Sequence, residues 1–136
     1  MREFIPHHTM AVTPAARESD LLAAIQLELS RGDTRLFRVN AGAAWQGTVI
    51  EKTSTRLVLA YPRAIKLAAP GVSDLIGWTA GGRFVAVECK TPTGRLRPEQ
   101  AAFLRLALAS GCLAGVARSV EDARGILEAK IIHAAP

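Results

Sequence analysis

The sequence predicts a small α/β domain, and three observations carry that reading. "DLIGW" and "RFVAVECK" are apolar runs of strand length joined by a glycine-rich turn. "RPEQAAFLRLALASG" and "SVEDARGILEAK" are helical segments with start and stop signals, and the strand-like "CLAGVARS" lies between them. At 136 residues the chain has the size of one domain, which buries roughly two-thirds of its unfolded surface. A hydrophobic share of 49% with 21% charged residues excludes a disordered or fibrous chain.

Along the chain, residues 1–15 carry two prolines and no periodicity and are expected to form a flexible N-terminal arm, leaving 16–136 as the domain. His7 and His8 in the arm lack further ligands nearby and are read as solvated. From Glu18, Leu21, Leu22, Ile25 and Leu29 recur at helical spacing, and Gly32 supplies the stop. A helix turns about 100° per residue, so Glu18 shares a face with Leu22 and borders the core side. "TRLFRVN" is a short strand that ends at the turn "NAGAAWQG". Thr48 to Glu51 and Arg56 to Tyr61 flank the polar "KTST" as a hairpin, with Pro62 and Pro70 limiting its extension.

The "DLIGW" and "RFVAVECK" strands form the next hairpin, around "TAGG". In the helix that follows, Pro98 fits the first turn, Phe103, Leu104, Leu106 and Leu108 supply the apolar face, and Gly111 ends it. Ser119 then caps the last helix, with Asp122 three residues on in a variant of the capping box. There is no internal repeat.

Charge and cysteine usage narrow the class. The balance of 17 basic against 12 acidic residues leaves +5, and 13 of the basic residues are arginine, whose planar fork suits phosphate oxygens. A polyanionic partner is one consequence; a merely basic surface is the other. Cys89 and Cys112 are the only cysteines, which makes a disulfide framework a poor fit and a reducing, cytoplasmic compartment the expectation. No segment approaches the ~20 apolar residues of a membrane span, and the N-terminus lacks the apolar core of a signal peptide. "LALASGC" has the look of a lipoprotein processing site but lies deep in the chain and is discarded.

The chemistry gathers where the apolar strand ends. Alternation in "FVAVECK" puts Ala86, Glu88 and Lys90 on one face and Val85, Val87 and Cys89 on the other. Glu88 and Lys90, ~6.6 Å apart along the strand, can serve one site. Charges at the end of such a strand are costly to bury unless they pair or bind something. Asp74 opens the neighbouring strand, so both acids fall near one end of the sheet, although the hairpin alone leaves the register open. Paired carboxylates repel, and a hard divalent cation such as Mg²⁺ is the usual remedy.

These residues carry a resemblance. The order Asp, hairpin, Glu-x-Lys, helix, strand resembles the PD-(D/E)xK nuclease superfamily. Within it, "RVNAG", "GVSDLI", "VAVECKTPTGRLRPEQ" and "GVARSVEDA" are similar to the VRR-NUC (virus-type replication-repair nuclease) domain, over roughly residues 18 to 128. The resemblance implies a restriction-endonuclease-like core, a mixed sheet flanked by helices in αβββαβ order with an extra hairpin. It implies a Mg²⁺- or Mn²⁺-dependent DNA endonuclease, a homodimer acting on branched DNA such as Holliday junctions, in bacteria or their phages. Ser73 stands where the family often has proline.

The resemblance also implies roles. Asp74 and Glu88 would hold the metal with the main-chain carbonyl of Cys89, while Lys90 would position or deprotonate the attacking water. Glu18 matches the family's N-terminal acid and is preferred over Glu28 on the same helix, acting through a metal-held water or a second metal. Gln100 would hydrogen-bond near Lys90 or the phosphate, or else lie on the helix surface. Arg95 and Arg97 would contact DNA phosphates, or form a solvated basic loop. Asn40 either approaches the site or forms a turn. The Cys89 thiol is expected in the core, and Trp45 and Trp78 are expected in packing rather than stacked on bases. The rival readings are a non-catalytic DNA-binding module on the same fold, and a dimeric assembly protein without a nucleic-acid role. The intact set of Asp74, Glu88 and Lys90 argues against the first, since binding alone needs no acids facing a phosphate.

Overall fold

The computed structural model describes residues 14–40 and 42–129. The elements run α1 (Pro14–Leu29), β1 (Arg35–Arg38), β2 (Ala43–Lys52), β3 (Leu57–Lys66), β4 (Leu75–Trp78), β5 (Phe84–Cys89), α2 (Pro98–Ala109), β6 (Leu113–Ala117) and α3 (Val120–Glu128). Four strands form a sheet in the order β1-β4-β5-β6, antiparallel except for the parallel pair β5 and β6. This is the mixed sheet of a PD-(D/E)xK-like fold, with β2 and β3 as a separate two-stranded ribbon.

The first sheet face is the core. Leu36, Leu75, Val85, Val87, Cys89 and Leu113 are buried there against Leu22, Ile25 and Leu29 of α1 and Ala123 of α3. Gly77 lets β1 come close: a Cβ there would lie 1.7 Å from the Arg35 carbonyl oxygen. On the second face α2 packs against β5 and β6, and Gln100, Leu104 and Ala107, at i, i+4 and i+7, are its buried residues. That narrow stripe corrects the expected apolar face, because Leu106 and Leu108 are 68% and 54% exposed. The helix meets too little of the sheet to bury more than one row.

Two other boundaries differ. The helix α1 starts at Pro14, within the segment read as an arm, because a proline's fixed φ suits the first helical turn and its missing N–H costs nothing there. Residues 1–13, with His7 and His8, lie outside the described residues. The ribbon runs on through Pro62 to Lys66, where the sequence suggested a stop. The pairing steps from Gln46↔Arg63 to Thr48↔Ala60, so Gly47 faces both Tyr61 and Pro62 in a bulge that needs no N–H from the proline. Tyr61 takes a positive φ of 51° in that bulge. The Ser119 cap forms, its hydroxyl accepting the Asp122 N–H at 3.0 Å, while Asp122 accepts the N–H of Arg118.

Candidate active site

The β4–β5 register, Leu75↔Val87, sets Asp74 across from Glu88 at one end of the sheet. Asp74 is held on both sides. Its Oδ2 accepts the Cys89 N–H at 2.8 Å, and its main-chain carbonyl accepts the Val39 N–H at 2.8 Å. Immediately upstream, Gly71 takes φ 85° and lies so close to the start of α2 that a Cβ would sit 2.2 Å from the Glu99 carbonyl oxygen. The loop that delivers Asp74 is thereby clamped to the helix that delivers Gln100. Ser73 is fully buried, and its hydroxyl makes no hydrogen bond among the described residues.

Glu88 is 1% exposed, an unusual setting for a carboxylate. Its Oε1 accepts the Gln100 side-chain amide at 2.5 Å and faces the Lys90 ammonium at 3.4 Å. Its Oε2 is buried without a partner among the described residues. Burial, and then the Asp74 charge, push the Glu88 carboxyl up to about 7 against the opposing pull of Lys90. Gln100 is itself oriented, because its oxygen accepts the Arg97 N–H at 2.9 Å and so caps α2. The amide therefore presents its NH₂ to Glu88. The Cys89 thiol points into the core, and burial, with Asp74, Glu88 and Glu18 adding, lifts it to about 12. It is no nucleophile at neutral pH.

A cleft opens beside Asp74, lined by Glu18, Ser19, Arg38, Asn40 and Leu67 among others. Glu18 thus reaches the end of the sheet where the acids stand, whereas Glu28 pairs with Arg31 at 3.2 Å, ten residues and about 15 Å further along α1. Arg95 and Arg97 lie exposed on the loop after Lys90, Arg97 beside Glu99 at 3.6 Å. That loop is fastened by Arg118, whose guanidinium donates to the carbonyl oxygens of Thr91 and Gly94. Neither Arg118 nor Arg38 was singled out from the sequence. The usable signal for Arg118 is that β6 runs parallel to β5, which pairs Ala117 with Cys89 and brings the next residue to the loop after Lys90.

Neither tryptophan is a core residue. Trp45 sits exposed on the ribbon, and Trp78 is half-exposed against Phe37. Both fall on sheet surface that no helix of the described residues covers.

The donors fit a hard divalent cation. Among the described residues no three His, Cys, Asp or Glu side chains converge. Magnesium, however, is commonly held by only one or two carboxylates together with waters and substrate phosphate oxygens. Asp74 and Glu88 offer such a pair, and the buried, unpartnered Glu88 Oε2 is an acceptor in need of a cation or a proton. The Cys89 main chain adjoins both acids.

Compared with known proteins, residues 16–121 match the family model of the VRR-NUC domain. No curated protein and no solved structure is significantly similar to the chain.

Proposed function

The chain belongs to the VRR-NUC family, a nuclease domain family of the PD-(D/E)xK type, and from that premise we propose that it is a Mg²⁺- or Mn²⁺-dependent endonuclease of branched DNA, working as a homodimer. The observation that carries the reading is the buried Glu88, paired with Asp74 and with one oxygen unpartnered. A structural ion pair would satisfy both of its oxygens; a ligand keeps one free.

In this reading Asp74, Glu88 and the Cys89 carbonyl hold the cation. When bound, it supplies Lewis acidity toward a phosphate and toward water. The chain's own residues do the rest. Lys90, 3.4 Å from Glu88 Oε1, presents an ammonium that donates hydrogen bonds to the attacking water or to the phosphate and offsets charge growing on it. Water adds to phosphorus as the bond to the leaving deoxyribose oxygen breaks, and the water's proton ends on solvent or on a nearby base. Gln100 positions the Glu88 carboxylate, and Glu18 and Asn40 face the adjoining cleft. Arg95 and Arg97, on the loop that Arg118 fastens, would meet flanking phosphates.

The deciding experiment is a calorimetric Mn²⁺ titration beside cleavage of labelled four-way, flap and linear DNA. Glu88→Gln keeps the shape but removes a charged ligand, so cation affinity and cleavage are expected to fall together while DNA binding persists. Lys90→Ala is expected to keep the cation and lose cleavage, because an ammonium is a donor only. A Glu88→Gln protein that cuts at the wild-type rate removes the site assignment.

A further inference from the structure

The second face of the four-stranded sheet is covered over only half its width. Strand alternation and the observed register place Phe37, Ile76, Trp78 and Phe84 on this face together with Ala86 and Glu88. Helix α2 covers the side of β5 and β6, and no element of the described residues covers the side of β1 and β4. There the rings of Phe37 and Trp78 stand 5.3 Å apart at 46°, with 47% and 48% of each residue exposed, and Phe84 beside them is 39% exposed. Together with Ile76, Arg38 and Asn40 they line an open groove of about 520 Å³. Arg38 and Asn40 also line the cleft of Glu18 and Asp74, so the groove adjoins the cleft beside the candidate active site.

We propose that this groove is a stacking subsite for unpaired bases of the DNA strand whose phosphate lies at Asp74 and Glu88. The proposal rests on the nuclease reading for the position of that phosphate. Aromatic faces stack on any base, because every base has a π-face, so the subsite would be indifferent to sequence. It would discriminate by structure, because a paired base offers only its edges. Along β5, Phe84 and Glu88 are four residues apart, about 13 Å. At the ~3.4 Å rise of a stacked strand that spans about four nucleotides. A nucleic acid suits the groove better than a protein surface does, since the groove leads toward the site read as holding a phosphate, and Arg38, placed by alternation on the opposite face from Phe37, lines the cleft of Glu18 and Asp74 next to it. The selectivity that results is for strands unpaired close to the cut, as at flaps and opened junctions.

The test uses the full chain without divalent cation, at one moderate salt concentration. Binding of dye-labelled oligothymidine and of a blunt duplex of equal length is followed by anisotropy. Trp78→Leu and Phe37→Leu retain apolar volume without a ring, and each is expected to weaken oligothymidine binding roughly tenfold or more while leaving duplex binding unchanged. Equal loss on both DNAs, or no loss, overturns the proposal. So does light scattering in which Trp78→Leu turns a dimer into monomers, which would assign the face to a second copy. With wild-type protein, a 2-aminopurine within the oligothymidine is expected to be quenched on binding, and unchanged emission at saturation overturns the proposal whatever the variants do. Selective loss with no cleavage in Mn²⁺ would leave the subsite standing without the nuclease reading. Cleavage without selective loss would do the reverse.

Discussion

Glu88 is a carboxyl group buried at 1% exposure and, among the described residues, hydrogen-bonded on one oxygen only, a setting that calls for a proton or a ligand. The pH dependence of the cation-free protein follows. In the fold burial and Asp74 lift the Glu88 carboxyl from the ordinary 4.5 to about 7, so between those values the folded state holds a proton that the unfolded chain releases. Stability carried by this group is therefore fully present below pH 4.5 and is lost as pH rises through 7, by roughly 3 kcal/mol in all. Urea unfolding without divalent cation should show wild type losing stability between pH 5 and pH 8 relative to Glu88→Gln, which cannot titrate there. A constant difference between the two proteins across that range would count against the buried, proton-holding carboxyl. A cation has to displace the same proton, so Mn²⁺ affinity should weaken as pH falls below 7 and binding near neutral pH should release protons. Lys90 works in the opposite sense: it draws the carboxylate toward its charged form, and its removal should move the midpoint upward.

Among the elements, the loop before β4 and the first turn of α2 behave as one unit, because Gly71 leaves no room for a side chain between them. Gly71→Ala forces a left-handed φ on a residue with a Cβ and drives that Cβ into the Glu99 carbonyl. A loss of about 2 kcal/mol or more is expected in urea unfolding, with cleavage reduced because Asp74 and Gln100 separate. A variant of wild-type stability and rate would show that the clamp is unimportant. The order of elements was legible in the sequence because their periodicities and stop signals are local. The meeting of Asp74 with Glu88 needed the register, which a turn with more than one possible loop length does not supply. The outward turn of Leu106 and Leu108 was hidden because a hydrophobic row says that a helix packs, not how much sheet it meets. The passage of β3 through Pro62 was hidden because a bulge is a property of two strands. The grip of Arg118 on the loop after Lys90 joins residues 24 and 27 apart and follows only once β6 lies beside β5.

At the scale of the whole molecule, the ribbon of β2 and β3 makes its contacts almost wholly within itself and leaves its apolar side chains in the open. The pairing of Val49 with Leu59 puts those two on one face with Leu57, and Trp45 lies four residues from Val49 on the same strand. Trp45, Val49 and Leu57 are each more than half exposed. An isolated two-stranded ribbon is marginal in water, and one of ten-residue strands with an apolar face is expected to cover that face by pairing with its own copy about a two-fold axis. A covered Trp contributes roughly 150–250 Å². The aliphatic side chains beside it and the ribbon's unpaired edges add to that, toward the ~800 Å² that a standard interface takes from one partner. Such a pairing would also give the two sites that the proposed action on a junction needs. Light scattering at micromolar concentration is expected to return twice the 14.5 kDa chain mass. The double substitution Val49→Asp with Leu57→Asp is expected to return one chain's mass while leaving the thermal unfolding of the sheet and helices nearly unchanged, since the ribbon adds little to that core. Wild type at one chain's mass removes the dimer; a double variant that stays dimeric keeps it but moves the interface off the ribbon.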